Sequence, residues 1–154
     1  MKKISLFCLL FVCIGLVSCK QNENRKKKLK AETPISVACY KALYENDTIE
    51  LSINTFKSDK ITGDMVMKIF GRAKKVGKIE GKFNGDTLYA DYSFLSGSNE
   101  VPFKNPIAIL KKGNELILGN GKIETYLGKS YFNKDTPIDF ESVKYKFTSV
   151  DCID

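Results

Sequence analysis

The chain has no histidine. That removes the usual general base, the usual zinc ligand and any Ser-His-Asp triad. Carboxylates could still work in pairs, as in glycosidases, but Asp59, Asp64, Asp86 and Asp135 read as turn or strand-edge residues. No stretch places oxygen ligands at the alternate positions of a calcium loop. Gly128-Lys129-Ser130 has the ending of a phosphate-binding loop, yet the motif needs a glycine at 123, where Ile123 stands, and no strand-to-helix pattern follows. It reads as a plain loop. The chemistry-bearing residues therefore point away from an enzyme, with no metal and no cofactor expected.

Five cysteines remain to be placed: Cys8, Cys13, Cys19, Cys39 and Cys152. The first three lie in MKKISLFCLLFVCIGLVSC, residues 1–19. Lys2 and Lys3 give a positive start, and an apolar run follows from Ile4 to Val17, broken by Ser5 and Gly15. A spanning helix needs about 20 apolar residues; this run is shorter and ends in polar residues, the pattern of a removed signal. Leu16-Val17-Ser18-Cys19 resembles the lipobox of bacterial lipoproteins. The resemblance implies a signal peptide over 1–18 and fatty acylation of Cys19, which becomes the mature N-terminus. Lys20 follows the anchor. In enterobacterial lipoproteins an Asp at that place retains the protein in the inner membrane, so the resemblance implies the outer membrane of a Gram-negative cell.

On that reading Cys39 and Cys152 are the cysteines left to the mature domain, near its two ends. Two cysteines in an exported domain favour a disulfide, and the competing reading is a pair of buried free thiols.

The formal net charge is +7, but it is unevenly spread. Segment 20–33, KQNENRKKKLKAET, carries Lys20, Arg25, Lys26, Lys27, Lys28 and Lys30 against Glu23 and Glu32. From Pro34 onward 17 basic and 16 acidic residues nearly cancel. A nearly neutral domain is no nucleic-acid binder, which needs a concentrated basic face. The charge sits beside the lipid, where each Lys or Arg is attracted to anionic head groups by about 1 kcal/mol. With Leu29 as its one strong apolar residue, the segment reads as a disordered spacer. The division expected is therefore 1–18 signal peptide, 19–34 lipidated cysteine and basic tether, and 35–154 a single domain.

Within that domain apolar residues recur every second position. Thr48-Ile49-Glu50-Leu51-Ser52-Ile53-Asn54 alternates strictly, and so do Leu88-Tyr89-Ala90-Asp91-Tyr92-Ser93-Phe94 and Lys144-Tyr145-Lys146-Phe147-Thr148. Asn84-Gly85-Asp86 reads as a tight hairpin, with other breaks at Ser58-Asp59-Lys60, Ser96-Gly97-Ser98-Asn99 and Gly113-Asn114. Strands are expected near 36–43, 47–57, 60–70, 76–84, 87–95, 104–112, 115–120, 122–127 and 143–151, with a loop or short helical turn in 128–140. The fold class is all-β: an antiparallel meander closing into a small lipocalin-like barrel, which removes exposed edges, with a β-sandwich as runner-up. Tyr89, Tyr92 and Phe94 on one strand, and Tyr40 and Tyr44 on another, either fill the core or line a pocket in the barrel mouth.

Asp47-Thr48-Ile49 and Asp86-Thr87-Leu88 resemble the Asp-Thr-aliphatic acceptor of a Gram-negative O-glycosylation system; the competing reading is turn chemistry, Asp closing a turn and Thr opening a strand. The function expected is a lipid-anchored, non-catalytic binding module for a small ligand, cell-wall fragment or envelope protein, held to the membrane by lipid and basic tether. Two alternatives stand beside it. One is a structural envelope protein. The other is a periplasmic enzyme inhibitor, since Ser96-Gly97-Ser98 resembles a loop of lipid-anchored lysozyme inhibitors; their Tyr-x-Cys-Gly motif is missing around Cys152.

Overall fold

The computed structural model describes residues 32–152. Cys19, the signal peptide and the basic tether up to residue 31 lie outside the described residues.

Ten strands are present among the described residues: β1 (Ser36–Tyr44), β2 (Asp47–Thr55), β3 (Lys60–Lys68), β4 (Lys75–Asn84), β5 (Thr87–Ser96), β6 (Phe103–Lys112), β7 (Glu115–Leu118), β8 (Ile123–Tyr126), β9 (Lys129–Phe132) and β10 (Lys146–Val150). Eight close into an antiparallel barrel in the order β1-β10-β7-β6-β5-β4-β3-β2. The sandwich alternative is therefore excluded, and the meander is the expected one. β1 to β7 follow one another as hairpins, β8 and β9 form a separate two-stranded sheet, and β10 returns to close the barrel between β7 and β1.

One segment departs from expectation. Within 128–140, Lys129–Phe132 is a strand, β9, paired with β8 through Ile123–Phe132 and Tyr126–Lys129. So short a run, without clear alternation, carries little strand signal. The hairpin is held by contacts between its own two arms instead: the Asn133 amide donates to Glu124 at 2.7 Å, and the Phe132 ring occupies the space a side chain at Gly121 would need.

The alternation of the strands sorts side chains in and out of the barrel. Ile49, Leu51 and Ile53 of β2, Ile61 and Met65 of β3, Ile79 of β4, and Leu88, Ala90, Tyr92 and Phe94 of β5 point inward and are buried. Ala42, Ile109, Leu116 and Phe147 complete the ring. Eight strands enclose a space that side chains can just fill, and the seven largest fully buried side chains, from Phe147 to Ile109, do so here. Tyr92 sits among them, its hydroxyl donating to the Met65 carbonyl at 3.0 Å. On β4, a Cβ at Gly77 or Gly81 would run into the β5 backbone at Ser93 or Tyr89, so only glycine allows the strands to curve this tightly.

The closure is uneven. β10 is joined to β1 from Cys39 opposite Val150 to Ala42 opposite Phe147, but to β7 by two pairs, Lys146 opposite Ile117 and Phe147 opposite Leu116, with the Leu118 N–H donating to the Tyr145 carbonyl at 3.1 Å just beyond them. Ile117 and Ala108, on the outer wall, are nevertheless buried. Over the same wall, Ile138 and Phe140 of the β7–β10 connection occupy the space beside Gly119.

Candidate binding surface on the outer wall

Cys39 lies on the outer wall of β1, and Cys152 lies two residues past the end of β10. The two form a disulfide with Cα atoms 5.2 Å apart, across 113 residues of sequence. It ties the last strand to the first, on the side opposite the short β10–β7 seam.

Beside this bond is an open groove of about 470 Å³, running across β1, β2 and β3. Register explains its lining. Lys41 stands opposite Glu50, Glu50 opposite Val66, and Val66 opposite Val76, all pointing outward. The next row holds Cys39 opposite Ser52, followed by Asp64, whose N–H donates to the Ser52 hydroxyl at 3.1 Å. Val66 and Val150 supply apolar surface, and Asp151 stands at the rim. Glu50 is bridged by Lys68 at 3.4 Å and Lys41 at 3.9 Å, and Asp64 by Lys78 at 3.5 Å. Exposed ion pairs of this kind are weak, worth about 0–1 kcal/mol, so their members can exchange one another for a ligand's charges. Asp64, expected at a turn or strand edge, is thus a mid-strand member of this wall. The groove offers a cation, two paired carboxylates, a hydroxyl and two aliphatic contacts, and this set suits recognition of a polar ligand with one apolar side.

A different constellation holds the rim where β2 begins. The turn Glu45-Asn46 delivers Asp47, whose Oδ1 accepts the Phe70 N–H at 2.8 Å and whose Oδ2 accepts the Tyr145 hydroxyl at 2.6 Å. The Tyr145 bond and the Phe70 N–H hold the Asp47 carboxyl below its usual range. Desolvation, then the bond to Asp47, pushes Tyr145 up to about 12. Tyr44 meets Tyr145 edge-on, and the Lys144 ammonium sits 5.0 Å from the Tyr44 ring centre. Asp47 closes a turn, as the turn reading of Asp47-Thr48-Ile49 has it, and Thr48 and Thr87 are both half-buried strand residues. Nothing in the sequence links Asp47 to Tyr145, 98 positions away.

The aromatics divide by strand parity. Tyr92 and Phe94 point inward and stack with centroids 4.7 Å apart, and Phe94 stacks on Phe103 at the mouth. Tyr40 packs against the core from one side, and Tyr44 stands at the rim. Tyr89 faces outward, 43% exposed, into a shallow groove of about 320 Å³ bounded by Phe132. The expected cluster of Tyr89 with Tyr92 and Phe94 is therefore split between the two faces of β5. The loop after β5, at 97–102, is exposed and is tied down by Gly97 N–H to the Lys74 carbonyl at 2.9 Å.

No family model, no curated protein and no solved structure matches this chain.

Proposed function

We propose that the protein is a lipid-anchored envelope lipoprotein, held through Cys19 and a basic tether at the outer membrane of a Gram-negative bacterium, whose barrel is a non-catalytic binding module working from its outer wall. One observation carries the last part. The interior is packed by Phe147, Ile49, Ile61, Met65, Ile79, Leu88 and Ile109, so a ligand is held outside the strands rather than among them. The groove beside the disulfide has the volume and the mixed polar and aliphatic lining of a small-ligand site. The anchor rests on Leu16-Val17-Ser18-Cys19 and the charge of segment 20–33.

The test separates the two parts. Cys19→Ala should release the protein from membranes or arrest the precursor; mature protein that still pellets with membranes through high salt and urea speaks against the anchor. Val66→Lys places a long charged chain in the groove without touching the core. Capture from envelope extract, followed by mass spectrometry, should find a small molecule or wall fragment with the wild type that is lost from Val66→Lys. Identical recovery by both proteins rules the groove out. Turnover in a screen of glycoside, ester, phosphate and peptidoglycan substrates, abolished by one Asp or Glu substitution, would overturn the non-catalytic assignment.

The exposed loop at 97–102 gives the inhibitor alternative its contact surface. It predicts the reverse pattern, a captured envelope hydrolase lost on replacing Ser98-Asn99 and retained in Val66→Lys.

A further inference from the structure

The β8–β9 hairpin carries two features that lower stability and that folding does not call for. Its turn is Leu127-Gly128, with φ of 48° and 74°, the paired left-handed conformation of a tight hairpin that Asn, Asp or Gly adopts with ease. A leucine there sets its Cβ against its own backbone. The side chain recovers nothing by burial: Leu127 is 84% exposed and its neighbour Tyr126 is 66% exposed. The other non-glycine left-handed positions among the described residues, Glu45 and Asp59, are polar residues that water covers. Of the three, Leu127 alone combines the strained backbone with an apolar side chain in solvent. Backbone outliers of this sort concentrate where a function holds them.

Register shows what stands around it. Tyr126 is opposite Lys129 and Glu124 is opposite Tyr131, so these four share one face; Phe132, on the other face, packs by Gly121. Glu124 is occupied by the Asn133 amide at 2.7 Å and by Lys122 at 3.6 Å. Lys129 and Lys134 have no ion pair among the described residues. The tip thus presents one aliphatic chain, the exposed ring of Tyr126 and the Lys129 ammonium, with the Tyr131 ring and Lys134 farther back along the hairpin. This is the set that suits a bilayer surface. The aliphatic chain enters the acyl boundary, tyrosines sit at head-group level and lysines meet phosphates.

We propose that the tip Tyr126-Leu127-Gly128-Lys129 dips into the head-group region of an anionic bilayer and sets which side of the barrel faces the membrane. The folded domain thus makes a second membrane contact, one that rests on the lipid anchor proposed above. So small a tip binds weakly alone. A domain already held at the surface makes the contact intramolecular, and a weak contact then suffices to orient it.

The chain has no tryptophan, so Tyr126→Trp installs a single indole reporter at the tip. The full, lipidated chain is reconstituted into phosphatidylcholine vesicles containing one third phosphatidylglycerol. Emission from the tip indole should shift to the blue and be quenched by brominated acyl chains, whereas the indole of Tyr89→Trp, on the barrel wall, should stay unquenched. Adding Leu127→Asn should return the tip emission to its value in water. The same change should raise the melting temperature, because Asn accepts the left-handed turn. A tip indole left unquenched on vesicles overturns the proposal, as does quenching that survives Leu127→Asn, or a melting temperature that falls in that variant. A blue shift that requires added envelope protein makes the occupant a protein and overturns it equally. Vesicle flotation scores the Cys19 anchor separately: a chain that floats while its tip indole stays in water loses the tip contact and keeps the anchor.

Discussion

The Tyr145 hydroxyl donates to Asp47 Oδ2 at 2.6 Å, joining the start of β2 to the residue just before β10, while Asp47 Oδ1 holds the Phe70 N–H of the β3–β4 connection. One carboxylate therefore links three connections at the same rim. Tyr145→Phe and Asp47→Asn should each lower the melting temperature by a few degrees, and the double variant should lose less than the sum, because the two residues act as a unit. Strict additivity would show that the bond contributes nothing.

The sign of the acid dependence follows from Asp47. Its folded carboxyl titrates lower than in the unfolded chain, chiefly through the Tyr145 bond. The stabilisation is present above the ordinary carboxyl value of 3.8 and is lost as pH falls below it through the folded value. Tyr145→Phe should flatten that acid limb of the urea midpoint below the ordinary carboxyl value of 3.8, measured against wild type. An unchanged limb would place the acid sensitivity elsewhere.

The alkaline limb has the opposite sign. Burial pushes Tyr92 from 10.0 to about 12, and desolvation with the Asp47 bond does the same for Tyr145. Both groups favour the folded state while it keeps the proton that the unfolded chain releases. Their contribution is complete below about pH 10 and is lost between there and about pH 12. Unfolding in this window should release one proton fewer in Tyr92→Phe than in wild type, read from the pH dependence of the urea midpoint. An equal slope in both proteins would show that Tyr92 does not carry its share.

The disulfide should matter more than its exposed position suggests. The Cys39–Cys152 bond closes a loop across 113 positions, and in the chain-entropy model a closure of that length contributes roughly 4–5 kcal/mol. Cys39→Ser should lower the stability by a few kcal/mol, and non-reducing peptide mapping should find the two cysteine peptides linked. Two freely alkylated thiols in protein taken from its native compartment would remove the prediction's basis.

Phe147 is fully buried and stands opposite both Ala42 and Leu116, so it packs the core at the strand that closes the barrel. Phe147→Ala should cost about 3–5 kcal/mol, a large part of a typical total of about 5–15 kcal/mol. Because β10 meets β7 over two residue pairs, the Leu118 amide, which crosses this seam to the Tyr145 carbonyl at 3.1 Å, should lose hydrogen-exchange protection before the amides of β4 and β5. Uniform loss of protection around the barrel would show that the seam is no weaker than the rest.

Local patterns along the chain sufficed for the all-β class, the boundaries of most strands, the hairpin at Asn84-Gly85-Asp86 and the cysteine pair. These rest on local signals: a period of two, turn residues with special backbone freedom, and cysteine arithmetic. The choice of barrel over sandwich lies in which edge β10 pairs with, and β10 lies between β7 and β1, strands far from each other in sequence. Strand β9 is not legible locally, because Lys129–Phe132 is short and held by Asn133 and by Phe132 beside Gly121, contacts outside the strand pattern. Parity is legible in Leu88–Phe94, and it separates Tyr89 from Tyr92 and Phe94 across the two faces of β5, so nearness in sequence makes no single aromatic cluster there. Whether the interior would be filled, whether Asp47 would find Tyr145, and that a groove would open beside the disulfide were decided by closure alone. Each depends on side chains from strands far apart in sequence, whose meeting no local pattern records.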